Sequence, residues 1–170
     1  MLRFVVTFGV LMILFYAAYY TPRSISAPVA GLFDTCLDLY AKASAKVLGL
    51  LGSEVRVAGT LISSARFSVQ IVRGCDAVEA TALYVCAVVA FPVGWRRKPP
   101  GILGGVLLLV ILNITRIVSL YYIGIHFPKA FRVLHIDVWQ PAFILVAVLL
   151  WLVWAWWATR IGTVQSDVSA

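Results

Sequence analysis

Three side chains in this sequence have the types that an acyl-transfer site uses: the thiol of Cys75, the guanidinium of Arg116 and the imidazole of His135. A cysteine attacks a carbonyl carbon, a histidine moves the proton, and a fixed cation stabilises the oxyanion. Cys75 precedes a helix start, where free N–H groups and the positive helix dipole lower a thiol pKa. Arg73 and Arg116 add positive charge, and Gly74 lets the backbone approach a ligand closely. Asp76 and Glu79 oppose thiolate formation unless they pair with the arginines. Asn113, Arg116 and Ser119 follow at three-residue spacing and share one helical face. Arg73, Asp76, Glu79 and Asn113 are thus candidate supporting residues.

Each residue also has a structural reading. Arg116 bonded to carbonyls, or paired with Asp76 or Glu79, is a structural arginine. An interfacial cysteine is often packing, and a loop histidine is often only solvated; His126 competes with His135 for the same role. Cys86 lies about 16 Å deeper than Cys75 along a helix rising ~1.5 Å per residue, on the same face, and does not reach the site. Cys36 falls on an apolar helix face. A Cys36–Cys75 disulfide stays open in an oxidising compartment and would remove the nucleophile. Three cysteines cannot all pair within one chain. Cys75, His126 and His135 lack close ligand spacing, so neither a metal nor a cofactor is expected.

The elements that must bring these groups together are membrane spans. Of 170 residues, 62% are hydrophobic and only 12% charged; a soluble domain carries roughly 25% charged residues. That excludes a water-soluble enzyme, a disordered tail and a nucleic-acid-binding module, despite the net charge of +7. A helix needs about 20 apolar residues to cross a bilayer. The sequence predicts four spans in a single domain over 1–170: 4–20, 78–94, 101–123 and 139–158. The first is read as a retained span rather than a cleaved signal, because its apolar run is long and Ser24-Ile25-Ser26 is a weak cleavage site.

Trp95-Arg96-Arg97-Lys98 is the densest basic stretch, so the positive-inside rule makes it cytoplasmic. By parity, residues 21–77 and 124–138 then face out. A raw count opposes this, with eight basic residues outside and five inside, but the rule weights short loops. Arg116 lies fifteen residues after Gly101, roughly 10 Å below the outer end at ~1.5 Å per residue, within snorkelling reach of the interface. All three reactive residues are therefore brought to one outer face.

Within the outer loop, residues 28–52 read as an amphipathic helix lying on the membrane surface. Asp34, Asp38, Lys42 and Lys46 make a charged stripe, and Val29, Phe33, Cys36, Tyr40, Ala43 and Val47 make an apolar face. Its four charges argue against a fifth span. Residues 55–72 alternate in polarity and predict a β-hairpin turning at Ser63-Ser64-Ala65.

In four stretches the sequence resembles the exosortase/archaeosortase family of membrane transpeptidases, and is most similar to its short exosortase H branch. These are Val69-Gln70-Ile71-Val72-Arg73-Gly74-Cys75-Asp76, Phe91-Pro92-Val93-Gly94-Trp95-Arg96, Asn113-Ile114-Thr115-Arg116-Ile117-Val118-Ser119-Leu120 and Leu134-His135-Ile136-Asp137-Val138-Trp139. The resemblance covers about residues 47–157. It implies Cys75 as nucleophile, Arg116 as catalytic arginine and His135 as catalytic histidine. It also implies a bacterial inner-membrane enzyme with an extracytoplasmic site. The implied substrates are exported proteins whose C-terminal sorting signal combines a short motif, a transmembrane helix and a basic tail. The motif is of the Ile-Pro-Thr-Leu type in the H branch, and cleavage accompanies transfer to a surface acceptor. One departure is visible: many exosortases have Cys-Ser-Gly where this chain has Cys75-Asp76-Ala77. The alternative reading is a non-enzymatic four-span scaffold or assembly subunit. A transporter is weaker, because four spans with one buried charge give little pore lining.

Overall fold

The apolar run after Met1 forms helix α1 (Leu2–Tyr19), and Pro22 prevents its continuation. A computed structural model describes residues 1–22, 24–74 and 77–167; Cys75 and Asp76 lie outside the described residues. Helix α2 (Ala27–Leu50) opens with a proline in its first turn. It ends on Gly52 at φ +83°, whose N–H donates to Gly49 while Ser53 N–H reaches Leu48 O at 2.9 Å. That left-handed glycine closes the helix and satisfies its last carbonyls.

Helix α2 falls where the amphipathic pattern predicts, but it buries a different face. Ala30, Leu37, Ala41, Ser44 and Leu48 are buried, whereas the predicted apolar residues are only half covered. The buried stripe is offset by one residue, which is about 100° of helix. Small side chains at Ala30, Ala41 and Ser44 allow close approach to neighbouring elements, and this outweighs hydrophobicity in choosing the packed side. Asp34 also leaves the solvated stripe, to pair with Arg73 at 3.0 Å.

The predicted hairpin over 55–72 is a three-stranded antiparallel sheet instead, in the order β1 (Arg56–Ala58), β2 (Leu61–Ser63), β3 (Ser68–Gln70). Gly59, at φ +58°, supplies a first turn that the alternation around it conceals. The second turn sits at the predicted serines: Ser64 Oγ accepts from the N–H groups of Arg66 and Phe67, each at 3.2 Å. Ile62 and Ile71 of this region join Leu37, Ala41 and Leu48 of α2 in one apolar core.

Helix α3 (Val78–Ala90) is shorter than the predicted span 78–94. Phe91, preceding Pro92, is extended at φ −65°, ψ 134°, and that stops the helix. Thirteen residues cover about 20 Å, against a hydrocarbon core of about 30 Å. A 3-10 turn (Trp95–Arg97) leads into α4 (Lys98–His126), which tolerates Pro99 and Pro100 in its first turn.

The predicted outer loop 124–138 is largely helical. Helix α5 (Pro128–Val133), a π-helical stretch (Leu134–Val138) and α6 (Trp139–Asp167) follow one another directly. Pro141 cannot bond the carbonyl of Asp137 and would clash with it; a widened π turn just before it relieves that conflict. Among the described residues three helical stretches are long and apolar enough to cross a membrane: Leu2–Tyr19, Trp95–His126 and Pro128–Arg160.

Helices α1, α3, α4 and α6 alternate in direction. At one end, Phe4 packs on Phe91 and Trp151, Arg97 Nη1 donates to Ala158 O at 2.8 Å, and Lys98 Nζ donates to Val89 O at 2.5 Å. Cations thus cover carbonyls along α6 and at the C-terminal end of α3, where the helix dipole favours a cation. Mid-bundle, Tyr84 OH donates to Gly101 O at 2.7 Å, and its ring occupies the space that a Cβ at Gly105 would need. The opposite end carries the sheet, the start of α3, Arg116 and His135.

Candidate active site

Helix α4 turns Asn113, Arg116, Ile117 and Leu120 inward, at the spacing of one helical face. Asn113 is fully buried and Arg116 is 2% exposed. Burying a guanidinium is expensive unless other groups replace its water. Here Arg116 Nη2 donates to the His135 carbonyl at 3.5 Å, and Cζ lies 5.4 Å from the Phe143 ring centroid. The arginine therefore does not snorkel towards solvent; it is held inside the helix cluster. Ser119, predicted on the same face, is half-buried and donates to the Arg116 carbonyl of its own helix at 2.8 Å.

His135 lies in the π-helical stretch rather than in a loop. Its ring packs on Phe131, with centroids 5.6 Å apart. The extra residue in a π turn rotates the following side chains, so this stretch sets which way His135 faces. His126, the competing histidine, is exposed at the end of α4 and lines neither cavity beside Arg116.

Two cavities meet at Arg116. One, of about 90 Å³, is lined by Tyr16, Gly74, Ala77, Glu79, Gln140 and Phe143 among others. The second, of about 190 Å³, is bordered by the β3 residues, Phe131 and His135. Gly74 and Ala77, the described residues on either side of Cys75 and Asp76, both line the first cavity. The second contains His135. The structure thus brings Arg116 and His135 together; Asn113 is buried on the Arg116 face of α4, and Glu79 lines the first cavity with Arg116. Cys75 and Asp76 are among the undescribed residues, so the Cys36–Cys75 disulfide that the sequence leaves open lies outside them too.

The backbone around this gap is unusual. Gly74 has φ +86° and Ala77 has φ +57°. Ala77 is the described residue outside glycine with a left-handed backbone, and it caps the start of α3. Such a conformation costs an L-residue roughly 1–2 kcal/mol. It falls at the position where the resembled family commonly has glycine.

Arg73 is a staple. It donates to Tyr19 O at 2.9 Å, to Ala30 O at 3.3 Å and to Asp34 Oδ1 at 3.0 Å, tying the end of α1 and the start of α2 to the strand-to-helix loop. Gly74 N–H donates to Tyr19 OH at 2.9 Å, and Tyr20 OH donates to Glu79 Oε1 at 2.6 Å. Among the described residues no ion pair joins Glu79 to Arg116. Tyr19, Tyr20 and Gln140 escaped the sequence reading. Adjacent tyrosines at a span end look like interface anchors, and their inward partners are not readable from spacing. Among the described residues no three His, Cys, Asp or Glu side chains cluster as metal ligands.

No curated protein and no solved structure matches the chain. The profile of the transmembrane exosortase family, however, matches residues 2–152, which takes in α1 and α2 as well as the stretches around Arg73, Arg116 and His135. With nearly the whole length covered and apolar helices that fit a bilayer, this chain belongs to the transmembrane exosortases.

Proposed function

We propose that the protein is a cysteine-dependent sorting transpeptidase of the bacterial inner membrane, acting on its extracytoplasmic face. Its substrates are exported proteins with a C-terminal signal made of a motif, a transmembrane helix and a basic tail. The observation that carries this reading is the buried Arg116, standing between a cavity bordered by the neighbours of Cys75 and one that contains His135. A buried cation at the junction of two cavities suits a charge that develops only during reaction.

In this mechanism the Cys75 thiolate attacks the scissile carbonyl carbon. Arg116 stabilises the resulting oxyanion. The carbon–nitrogen bond breaks, and His135 gives the leaving amine its proton, leaving a thioester on Cys75. An acceptor amine then attacks the thioester and passes a proton to His135, and the new amide releases the thiolate. Water replaces the amine in hydrolysis.

The test is mass spectrometry of the intact protein after incubation with a synthetic sorting-signal peptide. Wild-type protein is expected to gain the mass of the acyl fragment on Cys75, and Cys75→Ser is expected to gain none. Peptide cleavage by a folded Cys75→Ser protein would refute the assignment, and unchanged substrate length in cells carrying wild type would favour a scaffold.

A further inference from the structure

The sheet has an edge that its own strands leave unfilled, and that edge borders the cavity containing Arg116 and His135. Strand β3 pairs with β2 through Leu61↔Gln70, Ile62↔Val69 and Ser63↔Ser68. Ile71 N–H donates to Thr60 O and Ser64 N–H to Phe67 O, each at 3.0 Å. Antiparallel ladders alternate bonded and non-bonded pairs. Phe67, Val69 and Ile71 therefore turn their main-chain groups to β2, whereas Ser68 and Gln70 turn theirs outward. Among the described residues none of those four outward groups has another bonding partner, and both residues are exposed.

Among the described residues no further strand lies beside β3 in the sheet order β1-β2-β3. A cavity of about 190 Å³ is bordered by this strand. Ser68 and Gln70 line it together with Phe131, His135, and Ile117 and Arg116 of α4. Phe67 also lines it, its ring centroid 5.5 Å from that of Phe131. An exposed edge is a template for another extended chain, and proteins normally blunt such edges. This one borders a cavity that Arg116 and His135 also line.

We propose that the recognition segment of the substrate binds as an added fourth strand on β3. Its main chain bonds the N–H and C=O groups of Ser68 and Gln70, and this sets the segment so that its scissile carbonyl meets Arg116. Main-chain pairing supplies affinity, and alternate side chains of the segment face the cavity, where selectivity arises. Three strand residues span about 10 Å, enough for a motif of three or four residues. The inference rests on the proposed peptidase function.

The experiment uses full-length protein in phospholipid vesicles and a synthetic peptide carrying Ile-Pro-Thr-Leu, an apolar helix and a basic tail. Single amides of the motif and of the residues before it, the Ile-Pro bond excepted because proline has no N–H, are replaced by esters, one per peptide, which removes one N–H at a time without touching the protein. KM is expected to rise about fivefold, the worth of one hydrogen bond, at alternate positions and to change less than twofold between them. Gln70→Pro, which removes one outward N–H from an edge strand, is expected to raise KM similarly with kcat retained. A peptide that wild type processes, with no two-residue alternation among the esters, overturns strand addition and leaves the peptidase function standing. A peptide that wild type never processes overturns both. The ester series decides the matter even where Gln70→Pro does not fold.

Discussion

Arg116 is where burial and chemistry meet most directly. It is 2% exposed; its Nη2 donates to the His135 carbonyl and its guanidinium lies over the Phe143 ring. If it serves a developing oxyanion, Arg116→Ala should reduce turnover about 100-fold or more, the cost of losing one fixed donor. Arg116→Lys should recover little, because an ammonium lacks the planar fork. Single-turnover kinetics on folded variants check this, and near-normal processing by Arg116→Ala would sink the role. Ala77 supplies a second prediction at this scale. Its left-handed φ of +57° means that Ala77→Gly should raise stability by up to about 1 kcal/mol, less whatever packing the lost methyl contributed. Ala77→Val should lower it by more than Ala77→Gly raises it. Thermal unfolding in detergent measures both. The sequence exposes Cys75-Asp76-Ala77 as a departure from the family pattern, but the backbone strain needs the start of α3 to be in place.

At the scale of elements, the loop between β3 and α3 is held from outside itself. Arg73 ties it to α1 and α2, and Tyr19 accepts its Gly74 N–H. Tyr19→Phe removes that acceptor while keeping the buried ring. It should lower turnover about ten- to a hundredfold with KM little changed, because small misplacements of a reacting group are costly. Turnover expressed per titrated active thiol separates this from general unfolding, which lowers the titre and leaves the turnover of the remaining active protein unchanged. The π-helical stretch is the other positioning device. It joins α5 to α6, so His135 comes to Arg116 on a continuous helix rather than a loop. Pro141 was a visible signal for such a distortion, but apolar patterning alone reads 124–138 as a connection between spans.

For the whole molecule, the alternating helices give two chemically different ends. One carries Trp95, Arg96, Arg97 and Lys98, the other the sheet and the Arg116 cavities. The positive-inside rule assigns the first end to the cytoplasm. The assignment predicts a labelling pattern in a chain whose own cysteines are replaced by alanine. Glu54→Cys should react with an impermeant maleimide on intact cells, and Arg96→Cys only after permeabilisation. The reverse pattern would invert the topology and place the site inside.

What the linear order determined is whatever depends on composition and short-range period. Membrane character follows from apolar runs, since unpaired backbone is too costly in lipid for other solutions. The helices α1, α2, α4 and α6 and the turn at Ser64 follow from local propensity and spacing. Tertiary structure alone decided the rest. Which face of α2 is buried depends on how closely Ala41 and Ser44 approach their neighbours. The partners of Arg73, Tyr19 and Glu79 are set by residues on other helices. The open edge of β3 beside Arg116 exists because three strands and α4 meet there. Hydrophobic periodicity records that a face is covered, whereas directional contacts such as hydrogen bonds and ring packing depend on distances that arise only when the elements assemble.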